Sequence, residues 1–592
     1  MKGLHGAASR YKQTLGELMA IKLKNRRRES GIGVIVSWAG LGNKLPTESE
    51  LIDFIKGLNQ RDGLIVLIRL LRMADSGKTS AAERLNLDAG KYLKTALGEG
   101  IVAMLDQNPN AVFFSRWQLL FGVKLLCVFG NTKSSEDKPD DVIKLLLMIN
   151  DFIYRDYGVP GKFESEIEKK ESVLSSLIKQ NLLFAREQLR YLIGRYYDLF
   201  RVRALNKSSD NWVDLEAVFL TKTGVSIKEF QALHLGIFSL TPSDQWDGKQ
   251  AERPLSFCIN PSTTFNSVNI NASRTQSILN SITCTPEQVK EEHTAKYKES
   301  IGQVFDVTML LQKPVLRLSE DCIAALSPQL VIERSTKVLY WDIHDALPDR
   351  GNENRTNFQA FFGRLFESYG QDVLKRIRDL DKRRRKLIGE GEYKSPNEKT
   401  TDGLLLERLG SKESCLMFEF TVGRPRLEDT ILPGSILDFQ KDLDKKIGTA
   451  VDQQVDLLKR LLKGEKTIND LKLRDIKRWF ICVVVTDPFP SFEILTSSLS
   501  SKLDEFVKNG VDVKGVYILS LEELEFLETL ARRSSVNQVL MDWKSSQDSK
   551  IPFSHFFYRK VNNIGREPEN CFVVNRMDTA MNEMKELLFP NS

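Results

Sequence analysis

The first 240 residues have the apolar spacing of amphipathic helices. Apolar residues recur at intervals of three and four, and the runs are interrupted by short breaks such as DSG, NPN and YGVPGK. This pattern predicts an irregular, almost wholly helical region. The predicted helices span residues 8–28, 51–58, 64–73, 81–105, 114–129, 141–154, 164–199 and 215–240. No fixed repeat period is present, so the pattern does not favour a solenoid.

Residues 241–298 have a different composition, rich in Ser, Thr, Asn and Pro, which is typical of a linker. One short helix is predicted at 285–297, because Thr285 is a favoured N-cap residue and Pro286 suits the first turn. The sequence therefore predicts a helical domain at 1–240, a linker region at 241–298 and a further domain at 299–592.

The last 290 or so residues alternate between strand-like and helical patterns. The predicted strands are KPVLRL, KVLYWDIH, the hairpin strands Leu404–Leu406 and Cys415–Phe420, RWFICVVVT at 478–486, and 514–519. The predicted helices are 357–386, 435–463, 495–509 and 521–532. Alternation of this kind favours a mixed sheet with helices on both faces. The predicted fold class is therefore an α-helical domain followed by an α/β domain with a central mixed sheet.

Composition and charge are those of an ordinary globular protein, with 41% hydrophobic and 28% charged residues and a net charge of +6. A mild positive excess permits nucleic-acid binding without requiring it. The seven cysteines form no CxxC pattern, which argues against zinc and suggests a reducing compartment. No signal peptide and no apolar run of membrane-spanning length are found, so we expect a cytoplasmic protein with no membrane contact.

The predicted hairpin carries two acidic residues in otherwise apolar strands. Asp402 opens the first strand, and Glu419 lies within the second on the same face as Thr421. A carboxylate in such a strand requires a cation, a metal or a hydrogen-bond network nearby. Two simpler interpretations remain open: Asp402 caps a turn, and Glu419 forms a structural ion pair with Arg424.

Four segments of the C-terminal half resemble the PD-(D/E)XK nuclease superfamily, especially its members in bacterial defence and restriction. They are FGRLFESYG at 362–370, TDGLLLE at 401–407, CLMFEFT at 415–421 and DKKIGTAVDQQVDLLK at 444–459. The resemblance covers roughly residues 300–592 and implies a restriction-endonuclease-like domain. It also implies a Mg²⁺-dependent or Mn²⁺-dependent endonuclease that cleaves DNA phosphodiesters in antiphage defence or restriction. A bound Mg²⁺ neutralises charge on the phosphate and generates hydroxide near neutral pH.

The resemblance assigns roles to individual residues. Asp402, Glu419 and Glu367 would be both metal ligands and catalytic residues, and Lys445 would be the catalytic cation. The nucleic-acid contacts would be Gln453, Arg424, Arg426, Lys441, Arg383, Arg384 and Arg385. The family places a lysine two residues after the glutamate, whereas this sequence has Thr421, which carries no positive charge. Lys445, Arg424 or Arg426 could supply the missing charge.

Thr421 leaves alternatives open. The chain could be a catalytically inactive nuclease-like subunit that binds nucleic acid or scaffolds a defence complex. It could also be a helical partner-binding protein whose C-terminal half is inert. In every case the N-terminal helical domain is the expected docking region for a partner subunit, and a homo- or hetero-oligomer is expected.

Overall fold

The structure is a computed structural model. It describes residues 34–35, 37–75, 111–112, 114–132, 139–153, 187–207, 211–241, 258–266, 268–347, 353–389, 401–410, 412–422, 436–466, 468, 473–489, 493–546, 549, 552–562 and 570–588. The predicted helices at 8–28 and 81–105 lie outside these residues.

The described elements follow one another in this order. The first part contains β1 (Val34–Ile35), α1 (Glu48–Lys56), α2 (Gln60–Asp75), β2 (Ala111–Val112), α3 (Arg116–Phe129), α4 (Pro139–Ile153), α5 (Leu189–Tyr197), α6 (Leu215–Thr223), α7 (Ile227–Leu240), α8 (Pro261–Thr264), α9 (Ala272–Ile282), β3 (Thr283–Cys284), α10 (Pro286–Tyr297) and α11 (Thr308–Gln312). The second contains β4 (Val315–Ser319), β5 (Cys322–Ala325), α12 (Pro328–Ser335), α13 (Leu339–Ala346), α14 (Glu353–Asp379), β6 (Arg385–Gly389), β7 (Gly403–Leu409), β8 (Lys412–Thr421), α15 (Ile436–Leu443), α16 (Thr449–Leu462), β9 (Ile476–Val485), α17 (Glu493–Ser501), α18 (Asp504–Lys508), β10 (Val513–Ser520), α19 (Leu521–Ala531), α20 (Val536–Ser545), α21 (Phe553–Asn562) and α22 (Cys571–Leu588).

The chain forms two compact units. Unit 1 comprises residues 1–176, 242–257 and 284–310, and unit 2 comprises 177–241, 258–283 and 311–592. These units divide the chain at different positions from the predicted domains, because helices α5–α7 belong to unit 2 and helix α10 belongs to unit 1.

Unit 1 is helical in its described part, apart from the two-residue strands β1 and β2. Helix α3 is buried along most of its length. Two glycines allow its close packing: a Cβ at Gly63 of α2 would lie 2.8 Å from Leu126, and one at Gly122 would lie 3.2 Å from Leu67. The predicted helical character of this region is confirmed for the described residues.

Unit 2 is organised around a five-stranded mixed sheet with the strand order β10-β9-β8-β7-β6. Strands β6, β7 and β8 are antiparallel to one another, whereas β8, β9 and β10 are parallel. The predicted hairpin is the pair β7–β8. Strand β9 lies between two parallel neighbours and is buried from Trp479 to Val485, as its continuous apolar run predicts.

The two faces of this sheet are covered by different helices. On one face, Leu416 and Phe418 of β8 belong to a buried core shared with Phe361 and Phe366 of α14. On the other face, where Met417 is buried, α16 packs against β8 and β9. The predicted mixed sheet with helices on both faces is confirmed.

Four element predictions are wrong. The helix predicted at 495–509 is two helices, α17 and α18. The helix predicted at 215–240 is two helices, because Gly224 adopts a left-handed conformation (φ 73°) and the Ser226–Glu229 capping box begins a new helix. The strand predicted at KVLYWDIH is helix α13, in which Leu339 and Ile343 are buried on one side at helical spacing. The helix predicted at 357–386 ends at Asp379 and is followed by a turn and strand β6.

Unit 2 contains one disulfide among the described cysteines, between Cys258 and Cys322. The backbones of the adjacent residues Ile259 and Ile323 exchange hydrogen bonds of 2.8 and 2.9 Å. The scattered cysteines did not predict this bond. It gives no support to the predicted reducing compartment, since structural disulfides are rare in a reduced cytosol.

Candidate functional site

The two hairpin acids are brought to the same place. Strands β7 and β8 pair as far as Gly403 opposite Phe418. Just beyond that pair, the carboxylate of Asp402 accepts a hydrogen bond from the N–H of Phe420, the residue that follows Glu419 in β8. Asp402 and Glu419, which are 17 positions apart in the sequence, therefore lie at the same end of the sheet, which we call the acid end.

Backbone hydrogen bonds fix the position of Asp402. Its N–H donates to the carbonyl oxygen of Phe418 at 3.0 Å, and its Oδ2 accepts a hydrogen bond of 2.6 Å from the N–H of Phe420. Its carbonyl oxygen accepts a 2.6 Å hydrogen bond from Nε2 of Gln371. Asp402 is 8% exposed and Glu419 is half-buried, with its Oε2 shielded from solvent. The hydrogen bond from Phe420 crosses to the neighbouring strand, so it differs from the local turn cap of the simpler interpretation.

Glu419 projects toward the face covered by α16. Its neighbour Phe420 points to the opposite face, where its ring lies 6.0 Å from that of Phe366. A Cβ at Gly370 would lie 2.0 Å from the Phe420 ring, so only glycine fits there. Because side chains alternate along a strand, Glu419 and Thr421 share the α16 face with Met417. Thr421 is half-buried and pairs with Val485 of β9.

Glu367 lies at the acid end but on the other face of the sheet. It is half-buried on α14, one turn after Gly363 and one turn before Gln371. The Cβ position of Gly363 is 3.9 Å from Val422, just beyond β8, and Gln371 contacts Asp402. Within the described part of the chain, no group of three or more His, Cys, Asp or Glu side chains is arranged to hold a metal ion. The predicted three-carboxylate site is therefore not assembled.

Lys441 and Lys445 lie at the acid end for a topological reason. Strands β8 and β9 are parallel, so the helices between them must run back along the sheet. The first part of this helical connection, which carries both lysines, therefore lies near the end of β8. Both lysines are exposed, and a single π-helical turn at Asp444–Gly448 separates α15 from α16. Lys445 forms no ion pair with Asp402 or Glu419.

The glutamine that contacts the sheet is Gln454 rather than the predicted Gln453. Gln454 is fully buried, and its Nε2 donates to the carbonyl oxygens of Met417 at 2.9 Å and Cys482 at 3.0 Å. Gln453 is half-buried. Helical spacing contained the signal, because Gln454 lies on the apolar stripe with Val451 and Leu458.

The predicted basic contacts at and just before the start of β6 lie at the end of the sheet opposite the acid end. Arg385 opens β6 opposite Glu407, whereas the other end of β6 pairs Gly389 with Gly403. Arg385 is buried and donates to Glu407 at 2.8 Å, so the prediction of a nucleic-acid contact by Arg385 is corrected to a structural ion pair. Arg383 and Arg384 are exposed in the turn before β6. Arg424 and Arg426 lie outside the described residues.

The comparisons with known proteins add no relative. No family model, no curated protein and no solved structure matches this chain. Among the described helices, none has the length and apolar character needed to cross a membrane.

The acid end offers a donor set that suits a hard divalent cation. Mg²⁺ prefers oxygen ligands and commonly takes one or two carboxylates, with water and substrate oxygens completing its octahedron. Asp402 and Glu419 offer two carboxylates at the acid end, and Asp402 is fixed by backbone hydrogen bonds. The residues present therefore fit a two-carboxylate Mg²⁺ site.

Proposed function

We propose that unit 2 is a Mg²⁺-dependent endonuclease of the PD-(D/E)XK type that cleaves DNA, acting in bacterial antiphage defence or restriction. The observation that carries the proposal is the juxtaposition of Asp402 and Glu419 at one end of a mixed sheet. The order of elements supports it: α14 with Glu367, then β7 with Asp402, then β8 with Glu419, then the helices with Lys441 and Lys445, then β9.

The chain's own residues would have distinct tasks in this reaction. Asp402 and Glu419 would hold the metal, which when bound supplies charge neutralisation and an activated water. The backbone N–H of Phe420 keeps the Asp402 carboxylate oriented. Lys441 and Lys445, exposed at the same end, would attract the phosphate backbone. Glu367 could reach the site through water around the end of the sheet.

One observation favours a second candidate function. Thr421 occupies the position of the family's lysine, and Lys445 forms no ion pair with Asp402 or Glu419 in the structure. A nuclease-like subunit that binds nucleic acid without cutting, or scaffolds a complex through its helical N-terminal region, would keep the fold and lose this cation.

The deciding experiment is plasmid cleavage by the purified full-length chain with Mg²⁺ or Mn²⁺. Wild type should cut, and Asp402→Asn or Glu419→Gln should each reduce the rate roughly 100-fold or more, because a metal ligand is lost. Glu216→Gln is the matched control, since Glu216 is a half-buried acid on helix α6 of unit 2, outside the sheet.

The other outcomes separate the alternatives. DNA binding without cutting under any divalent metal would favour the inactive subunit. Neither binding nor cutting would favour a helical partner-binding protein. Equal cutting by wild type and both acid variants would show that Asp402 and Glu419 are not the catalytic pair.

A further inference from the structure

The end of the sheet opposite the acid end gathers four surface segments. They are residues 378–384, the hairpin residues 408–410 with 412–413, residues 474–478 and residues 508–514, which we call the basic end. Strand pairing makes the segments neighbours: the N–H of Arg408 donates to the carbonyl oxygen of Arg384 at 2.8 Å, and Glu413 pairs with Ile476. The N–H of Trp479 donates to the carbonyl oxygen of Asp512 at 2.9 Å, which brings in the fourth segment.

Positive charge is concentrated at the basic end. Its four segments contain eleven Lys or Arg residues and five Asp or Glu residues. This excess of six is as large as the net charge of the whole chain, +6, so the remainder of the chain is neutral on balance. Three of these cations are largely exposed, Lys382 at 71%, Arg384 at 69% and Arg474 at 84%, and each is paired with an aspartate of its own segment.

The basic end is too far from the acid end to contact the same phosphates. Strand β8 has ten residues, and a strand rises about 3.4 Å per residue, so the two ends are roughly 30 Å apart. The segments lie on β6 to β10, whose spacing of about 4.8 Å gives a surface roughly 20 Å wide. A surface of this width spans several phosphates of one duplex.

We propose that the basic end is a second nucleic-acid surface, which binds the phosphate backbone of a duplex segment other than the one at the acid end. Charge complementarity favours this partner, and six of the eleven cations are arginines, whose planar guanidinium groups match phosphate oxygens in pairs. This second surface rests on the proposed function only in taking nucleic acid as the ligand. Binding here requires neither a metal nor the acid pair, and it would be independent of base sequence.

The test measures binding of a labelled 30-base-pair duplex to the full-length chain by fluorescence anisotropy in EDTA, over a series of salt concentrations. The triple variant Arg383→Gln, Arg384→Gln, Lys477→Gln should lower the slope of log K against log salt by about three, since each lost phosphate contact contributes about 0.9. Affinity near physiological salt should fall roughly tenfold or more.

The matched control removes three exposed lysines elsewhere, with Lys222→Gln, Lys290→Gln and Lys585→Gln. The control should keep the wild-type slope. Equal slopes in both triple variants, or no duplex binding by wild type, would overturn the proposal. Binding to phosphatidylserine vesicles without duplex binding would assign the surface to membranes instead.

The metal-free assay separates this proposal from the proposed function. If wild type fails to cut plasmid but the Arg383, Arg384, Lys477 variant has a lower salt slope than wild type, the second surface is supported and the nuclease is excluded. If wild type cuts plasmid and the variant has the same salt slope as wild type, the nuclease is supported and the second surface is excluded.

Discussion

Strand β7 carries one acidic residue just before its start and another near its end, and their surroundings differ. Glu407 is buried, and its oxygens accept hydrogen bonds from Nε of Arg385 at 2.8 Å and from the N–H groups of Val536 and Asn537 at 3.0 and 2.9 Å. Asp402 instead lies at the acid end, where its carboxylate accepts a hydrogen bond from the N–H of Phe420, next to a second acid, Glu419. Glu407 therefore serves the fold through a buried counter-charge, whereas the role that we propose for Asp402 is to hold a metal ion.

Replacing Glu407 should have the largest effect on stability. Glu407→Gln would leave the buried guanidinium of Arg385 without its counter-charge, which costs about 3–5 kcal/mol when a buried ion pair is broken. The measurement is urea denaturation of the full-length chain, read as the midpoint of the transition that unfolds unit 2.

The matched control is the same chemical change at the other end of the strand. Asp402→Asn retains an oxygen that can accept from the N–H of Phe420 and removes one of the two acidic charges at the acid end, so stability should change by no more than about 0.5 kcal/mol. If both variants cost the same, the distinction between a structural and a ligand acid on this strand fails.

The second prediction concerns how the acid end is held. Gln454→Leu keeps a similar volume but removes the amide donor to the carbonyl oxygens of Met417 and Cys482, which should cost about 1–3 kcal/mol. Gln453→Leu, at the half-buried neighbouring position, should be nearly neutral. Thermal unfolding of both variants checks the difference, and a reversed order would show that the sheet contact of Gln454 does not stabilise unit 2.

The hairpin and the central strand could be predicted because their signals are local. Apolar runs of strand length flank a polar turn, in which Gly410 adopts a left-handed conformation (φ 64°). The start of α10 could be predicted because Thr285 and Gln288 form a capping box within four residues. Each of these features depends on neighbours in the sequence.

The failures depend on partners that are distant in the sequence. Strand β6 begins in a run of basic residues that resembles a helix end, and it is stabilised by the pairing of Arg385 with Glu407, 22 residues away. The sheet contact of Gln454 was not predicted, because it depends on the carbonyl oxygens of Met417 and Cys482, which are distant in the sequence. The sequence could not predict that the basic run and the acid pair lie at opposite ends of the sheet, because this depends on which end of the sheet each turn occupies.

A third group of buried acids extends the comparison, because several carboxylates there share one buried arginine. Arg195 is fully buried and binds both Glu187, at 2.6 Å, and Glu525, at 2.8 Å. Glu522 lies in the same cluster and accepts a 2.5 Å hydrogen bond from the N–H of Gln188. Burial, reinforced by the charge of Glu187, raises the pKa of Glu522 well above its usual value.

The smallest predicted effect is a pH dependence that arises from Glu522. Because its pKa is raised in the folded state, the folded chain binds more protons than the unfolded chain between the ordinary and the raised pKa. The free energy of unfolding therefore falls as pH increases through that range. Glu522→Gln keeps an acceptor for the N–H of Gln188 and cannot ionise, so its urea midpoint should fall less between pH 5 and 8 than that of wild type. A variant with the same pH slope as wild type would mean that Glu522 is balanced by Arg195, as Glu407 is by Arg385, and the contrast between matched and unmatched acids would not hold.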